Sequence, residues 1–145
     1  MANTRVDFYI LQSTNMRNRQ EFACKLTEKA YRLGHKVFIR TDSPEETRQL
    51  DNLLWTFRAG SFIPHTLKPE DQDDGLQAPI QLGTQCEGSE HLDLLINLSA
   101  QMPSEYTRFK RIAELIDQND PVRESGRQHY RQYQREGCEL TTHKL

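Results

Sequence analysis

Apolar positions recur along this chain in two rhythms, and each predicts a different kind of element. Arg5 to Leu11 (RVDFYIL) is a short run rich in β-branched and aromatic residues, which predicts a buried strand. From residue 18 to 33 the spacing lengthens. Phe22, Leu26, Ala30 and Leu33 recur at three- and four-residue steps, which predicts a helix closed by Gly34. Val37 to Thr41 (VFIRT) reads as a second strand. Ser43-Pro44-Glu45-Glu46 then carries a helix start: Ser43 as N-cap, Pro44 at the first helical position and Glu46 completing a capping box. That helix runs to about Phe57 with Leu50, Leu53, Leu54 and Phe57 as its stripe.

Residues 58 to 67 form an irregular apolar segment broken by Gly60 and Pro64, and Lys68 to Ala78 an acidic, turn-rich loop. Pro79 to Leu82 and Asp93 to Leu98 are strand candidates. Pro103 to Asp117 is expected to be helical, with Phe109, Ile112, Ala113 and Ile116 on one face. Asp120-Pro121 opens a last helix that Gly137 ends. No repeat or long linker divides the 145 residues, so we expect one domain over 1–145. The alternation of strands and helices predicts a three-layer α/β/α, Rossmann-like fold with a mainly parallel sheet.

That fold class raises the question of a nucleotide site, which needs glycines directly after the first strand. The turn there reads Gln12-Ser13-Thr14-Asn15-Met16-Arg17, and the first glycine of the chain is Gly34. A nucleotide-binding glycine loop is therefore missing, and we expect no cofactor. His35, His65, His91, His129 and His143 lie at no metal-ligand spacing, so no metal is expected. Ser89, His91 and Asp93 lie too close in sequence to converge readily as a triad, and an ordinary polar turn is expected instead. The reading is of a protein that is not an enzyme.

Charge sharpens the picture. Nineteen Lys and Arg stand against 21 Asp and Glu, a formal net charge of −2. A protein that coats nucleic acid over its whole surface is usually basic. Three widely spaced cysteines, no apolar run long enough to span a bilayer and no signal-peptide pattern suit a cytoplasmic protein. The last helix departs from the acidic average. Arg123, Arg127, Arg131 and Arg135 recur every four residues, with Tyr130 and Tyr133 between them. Such a stripe is either a solvated face or an anion-recognition surface. With Ile116 as an aliphatic edge, it suits an acidic peptide carrying an apolar end, and bare nucleic acid equally well. Trp55 to His65 (WTFRAGSFIPH) gathers Trp55, Phe57, Phe62, Ile63 and Pro64 around a break in regular structure. It is either part of the core or a protein–protein surface.

In sequence order the motifs are D-F-Y-I-L, Y-R-L-G-H-K-V, Q-L-D-N-L-L-W-T-F, S-F-I-P-H, D-L-L-I-N-L and G-R-Q-H-Y-R-Q-Y-Q-R-E-G. Over nearly its full length the chain thereby resembles the chi subunit family of bacterial DNA polymerase III holoenzyme. The resemblance implies a non-catalytic adaptor of the clamp-loader assembly in the replisome, contacting DNA indirectly. It implies a heterodimer with the psi subunit through Trp55 and Phe62, with Pro64 and His65 beside them. The resemblance implies too that a helicase-like repair protein can use the same surface in place of psi. It also implies binding of the acidic C-terminal tail of single-stranded DNA-binding protein, whose last residue is phenylalanine, on Ile116, Arg123, Arg127 and Tyr130. There Arg127 would take the terminal carboxylate, Arg123 the aspartates, and Ile116 with Tyr130 the ring. The alternative is a single-stranded nucleic-acid-binding module that uses the basic C-terminal helix directly.

Overall fold

The computed structural model describes residues 4–60, 62–67, 78–86 and 89–145. The acidic stretch thus lies outside the described residues, apart from Ala78. In chain order the elements are β1 (Arg5–Ile10), α1 (Met16–Arg32), β2 (Val37–Arg40), α2 (Pro44–Thr56), β3 (His65–Leu67), β4 (Ile80–Gly83) and β5 (Leu94–Asn97). A 3-10 turn (Tyr106–Arg108) follows, then β6 (Arg111–Ile116), α3 (Asp120–Arg135) and β7 (Glu139–Lys144). The strands form one sheet in the order β3-β4-β2-β5-β6-β1-β7, and every pairing is parallel.

A parallel sheet buries both faces, so its strands feed two cores by alternation. Val37, Ile39, Leu94, Ile96, Ala113 and Leu115 face α1 and α2. Phe38, Leu95, Ile112 and Ile116 face the other way, onto the α3 layer with Phe109 and Tyr133. This is the three-layer α/β/α, Rossmann-like arrangement expected from the sequence. The Ser43 cap and the two closing glycines match, whereas α3 is preceded by Asn119 and takes Asp120 as its first residue. Ser43 Oγ accepts the Glu46 N–H at 3.2 Å at the start of α2. Gly34 and Gly137 end α1 and α3 in the left-handed region, at φ +82° and +80°, where a Cβ would be strained.

Three expectations need correction, and one strand was not expected. Pro103 to Asp117 is not a helix: it holds the 3-10 turn and β6, a central strand between β5 and β1. Phe109, Ile112, Ala113 and Ile116 mimic a helical stripe only because a doubly buried strand is apolar on both sides. In fact Ala113 and Ile112 enter opposite cores. The irregular segment contains the edge strand β3. Beyond α3 the polar run ELTTHK forms β7, which pairs only with β1 at the opposite edge and so shows no apolar signal. Finally, α1 begins at Met16 behind an Asn15 cap, and its buried face is built from Ala23, Cys24, Thr27 and Ala30. Phe22 and Leu26 are half-buried, and Leu33 is exposed.

Candidate functional site

The close approach of α3 to β6 defines the main site. A Cβ on Gly126 would lie 2.6 Å from Ile116 Cδ1, so glycine lets the helix sit low on the strand without pushing that side chain aside. The helix then walls an open groove of about 600 Å³ over the C-terminal ends of β1, β6 and β7. Phe8, Ile10 and Ile116 form its floor with the half-buried ring of Tyr130, which packs 5.2 Å from Phe8. Arg123 and Arg127 stand on its rim. Their ion pairs are loose: Arg123, half-buried, lies 3.9 Å from the exposed Asp120, and Arg127 3.8 Å from Glu124, both exposed. Pairs of that kind contribute little and exchange readily for a better anion. An apolar floor below two available guanidinium forks suits an anion with an apolar end.

Ile116, Arg123, Arg127 and Tyr130, singled out from the sequence, thus line one groove. Sequence reasoning missed Phe8, Ile10, Thr142 and Lys144, which complete it. Phe8 and Ile10 share one face of β1 by the two-residue period, a signal open to a reader of the sequence. Thr142 and Lys144 come from the unanticipated β7.

The arginine stripe does not stay on one side. Arg131 and Arg135 line a separate groove of about 840 Å³, between α3 and residues 100–106. Four residues turn a helix by ~400°, so each arginine is offset by ~40° from the last, and α3 itself divides them. Below it lies His129, 3% exposed. Its Nδ1 is 3.1 Å from Glu114 Oε1 and its Nε2 is 2.9 Å from the Ala100 carbonyl. Both nitrogens face acceptors, an arrangement that favours the doubly protonated ring. Burial opposes that charge, but the Glu114 carboxylate outweighs it and raises the His129 pKa. Glu114 Oε2 is held in turn by Tyr133 Oη at 2.7 Å and Asn97 Nδ2 at 3.0 Å.

A second surface stands at the β3 edge. Trp55, on the last turn of α2, is 52% exposed and Phe62 is 78% exposed. Pro64 and Leu67 are exposed beside them. His65, expected to share this surface, is buried instead. Its Nδ1 lies 2.6 Å from the Ile63 carbonyl and its Nε2 3.0 Å from Asp51 Oδ1. The ring packs 4.4 Å from that of Trp55 and supports the tryptophan from beneath.

Ser89, His91 and Asp93 do not converge. Ser89 Oγ bonds Gln81 and the His91 backbone N–H, while the His91 ring reaches the Ala78 carbonyl. Asp93 accepts the Lys36 N–H and pairs with Lys110. Among the described residues no three His, Cys, Asp or Glu side chains are grouped to hold a metal, and no helix is long and apolar enough to cross a membrane.

Comparison with known proteins gives a consistent answer. Residues 3–141 match the family model described as "DNA polymerase III chi subunit, HolC". A DNA polymerase III subunit chi from Pseudomonas aeruginosa is 39% identical over 142 residues, 98% of this chain and 97% of that protein. The subunit chi from Haemophilus influenzae is 30% identical over 148 residues, covering 100% of this chain and 99% of its own. That from Escherichia coli is 27% identical over 124 residues, 85% and 83% of the two chains. Among solved structures, T4 UvsW aligns with a TM-score of 0.70 at 10% identity, over 99% of this chain and 42% of its own, a likeness of fold alone.

Proposed function

Because the chain belongs to the DNA polymerase III chi subunit family, a family of the replicative polymerase, we propose that it is a non-catalytic adaptor with two docking surfaces. The α3 groove takes the acidic C-terminal tail of single-stranded DNA-binding protein. The Trp55–Phe62 surface takes the psi subunit of the clamp-loader complex, or a helicase-like repair protein in its place. The polymerase machinery is thereby linked to coated template, and DNA is met indirectly, in the cytoplasm.

The observation that carries this reading is the convergence of Ile116, Arg123, Arg127 and Tyr130 on one groove. A terminal phenylalanine ring fits the floor between Ile116 and Tyr130. Its carboxylate is within the domain of Arg127, and preceding aspartates meet Arg123. On the second surface, exposed aromatics with a supporting histidine have the make-up of an interface centre.

The test is fluorescence anisotropy of a labelled tail peptide against the wild type and Arg127→Ala. Saturable binding that collapses in the folded variant is expected. Absence of binding to the wild type overturns the tail assignment and leaves the psi-facing surface to be tested by co-purification. Direct binding of single-stranded DNA by α3 predicts instead appreciable affinity for a bare oligonucleotide, with a log–log salt slope set by several phosphates. The division of the arginines between two grooves, with Glu105 and Glu136 lining the second, weighs against a continuous phosphate track.

A further inference from the structure

A third cavity, of about 380 Å³, lies at the opposite end of the sheet from the α3 groove and on its opposite face. Its floor is Ala30 of α1 with Leu94 and Ala113, all buried, at the N-terminal halves of β5 and β6. Tyr9 and Leu26 wall it, and the exposed Leu33 stands at its mouth. That volume falls within the range of small-ligand pockets.

The rim is cationic on a chain that is acidic overall. Arg5, Lys29, Lys110 and Arg111 line it, with His35, against the single carboxylate of Asp93. Asp93 is already engaged, by the Lys36 N–H at 2.8 Å and Lys110 at 3.4 Å. Arg111 is a fixed rather than a wandering charge. Its Nε donates to Asp7 Oδ2 at 2.6 Å, and Asp7 is fully buried. His143 Nε2 lies 3.0 Å from the other oxygen of that carboxylate. The guanidinium is thus anchored through Nε, which leaves its terminal amino groups for an incoming anion; one of them reaches Tyr9 Oη only at 3.5 Å. Tyr9 is fixed as well, stacked 4.7 Å from His143 and tilted 5.3 Å from Phe22. The final carbonyls of α1, the negative end of that helix, are capped by the N–H groups of Leu33, Gly34 and His35.

We propose that this cavity binds an organic anion with an apolar body, its acid group on Arg111 and its aromatic or branched side group on the Ala30–Leu94–Ala113 floor. Carboxylate and phosphate share the chemistry of the site. The site is independent of the two docking surfaces, since it uses neither the α3 groove nor the Trp55 edge.

The test is a titration of isotope-labelled protein followed by the backbone amide spectrum, residue by residue. N-acetyl-phenylalanine is the carboxylate probe, phenyl phosphate the phosphate probe, and N-acetyl-phenylalaninamide the neutral control. Saturable shifts at Ala30, Leu94 and Ala113 with an anion, and several-fold weaker binding of the neutral control, are expected. The tighter of the two anions identifies the source as an organic acid or chain terminus, or as a nucleotide-like phosphate. Arg111→Gln should remove the shifts, and Lys29→Gln with Lys110→Gln, which leaves the Asp7 anchor untouched, should weaken them several-fold. No saturable shift at these residues, equal binding of the neutral control, or shifts confined to Arg127 and Tyr130 would overturn the proposal.

Discussion

The α3 groove and the Trp55 edge are built on opposite plans. The groove is concave, lined by side chains from three strands and rimmed by two arginines with loose partners. The edge displays its apolar residues outward, Phe62 most of all, and keeps its polar group, His65, underneath. A recess with exchangeable cations selects a short anionic segment, and its attraction is screened by salt. A displayed aromatic patch gains mostly from apolar burial, which salt leaves intact. On the proposed function, one small domain would offer two kinds of recognition that changes of solution or sequence should separate.

The largest separation is expected from Trp55→Ala. It should weaken psi binding by about 3 kcal/mol, in the range of buried aromatic anchors, and leave tail-peptide anisotropy unchanged. Parallel loss of both activities in a folded variant would mean that the surfaces are not distinct. Arg127→Ala should do the converse. It should cost about 2 kcal/mol of peptide affinity, the lower end for a charge pair, because the side chain is 57% exposed in the free protein. Raising salt from about 0.1 M to about 1 M shortens the screening length from ~10 to ~3 Å. Peptide binding should fall over that range while psi co-purification persists; equal retention of both would break the contrast.

Gly126→Ala sharpens it further. The new methyl gains up to ~1 kcal/mol in helix propensity but must displace Ile116 Cδ1, whose side chain lies in the groove. Thermal stability should move by no more than about 1 kcal/mol, while peptide affinity drops by about fivefold, the equivalent of ~1 kcal/mol. An unchanged peptide affinity would show that the Ile116 position is not part of the recess that matters. The smallest effect is expected from pH. His129 has a folded pKa raised above its ordinary 6.5 by Glu114, against the opposing effect of burial. Its contribution to stability is complete below that ordinary value and disappears as pH rises through the raised one. Thermal melts across that window should show wild-type stability declining and His129→Gln declining less; identical slopes would remove the charge from His129.

The two surfaces also differ in how far the sequence discloses them. Arg123, Arg127 and Tyr130 lie on one true helix, so their three- and four-residue spacing places them together before any fold is known. Ile116 reaches the same recess from a strand that its residue types disguise: alanine, glutamate and leucine in RIAELI all favour helix, and burial on both faces overrides that preference. Thr142 and Lys144 arrive through the pairing of β1 with β7, where Ile10 opposes Lys144 across 134 positions of chain. Parallel pairing leaves no turn signal to betray such a contact. At the other edge the aromatic cluster was visible in WTFRAGSFIPH, but the inward direction of His65 was not, because it depends on the Asp51 and Ile63 groups that receive it.

The all-parallel sheet has a mechanical consequence. The Trp55 edge flanks β3 and the groove reaches β7, the outermost strands on either side. Six inter-strand steps of ~4.8 Å put those strands ~29 Å apart. A tether pulled between partners at the two margins is therefore stretched across the strands, along the hydrogen bonds, with its ladders loaded in series. The β1–β7 ladder has six residue pairs and the β3–β4 ladder three. Under tension the chain should give way first beside β3, opening like a zip from the Trp55 margin while the β1–β7 side stays closed.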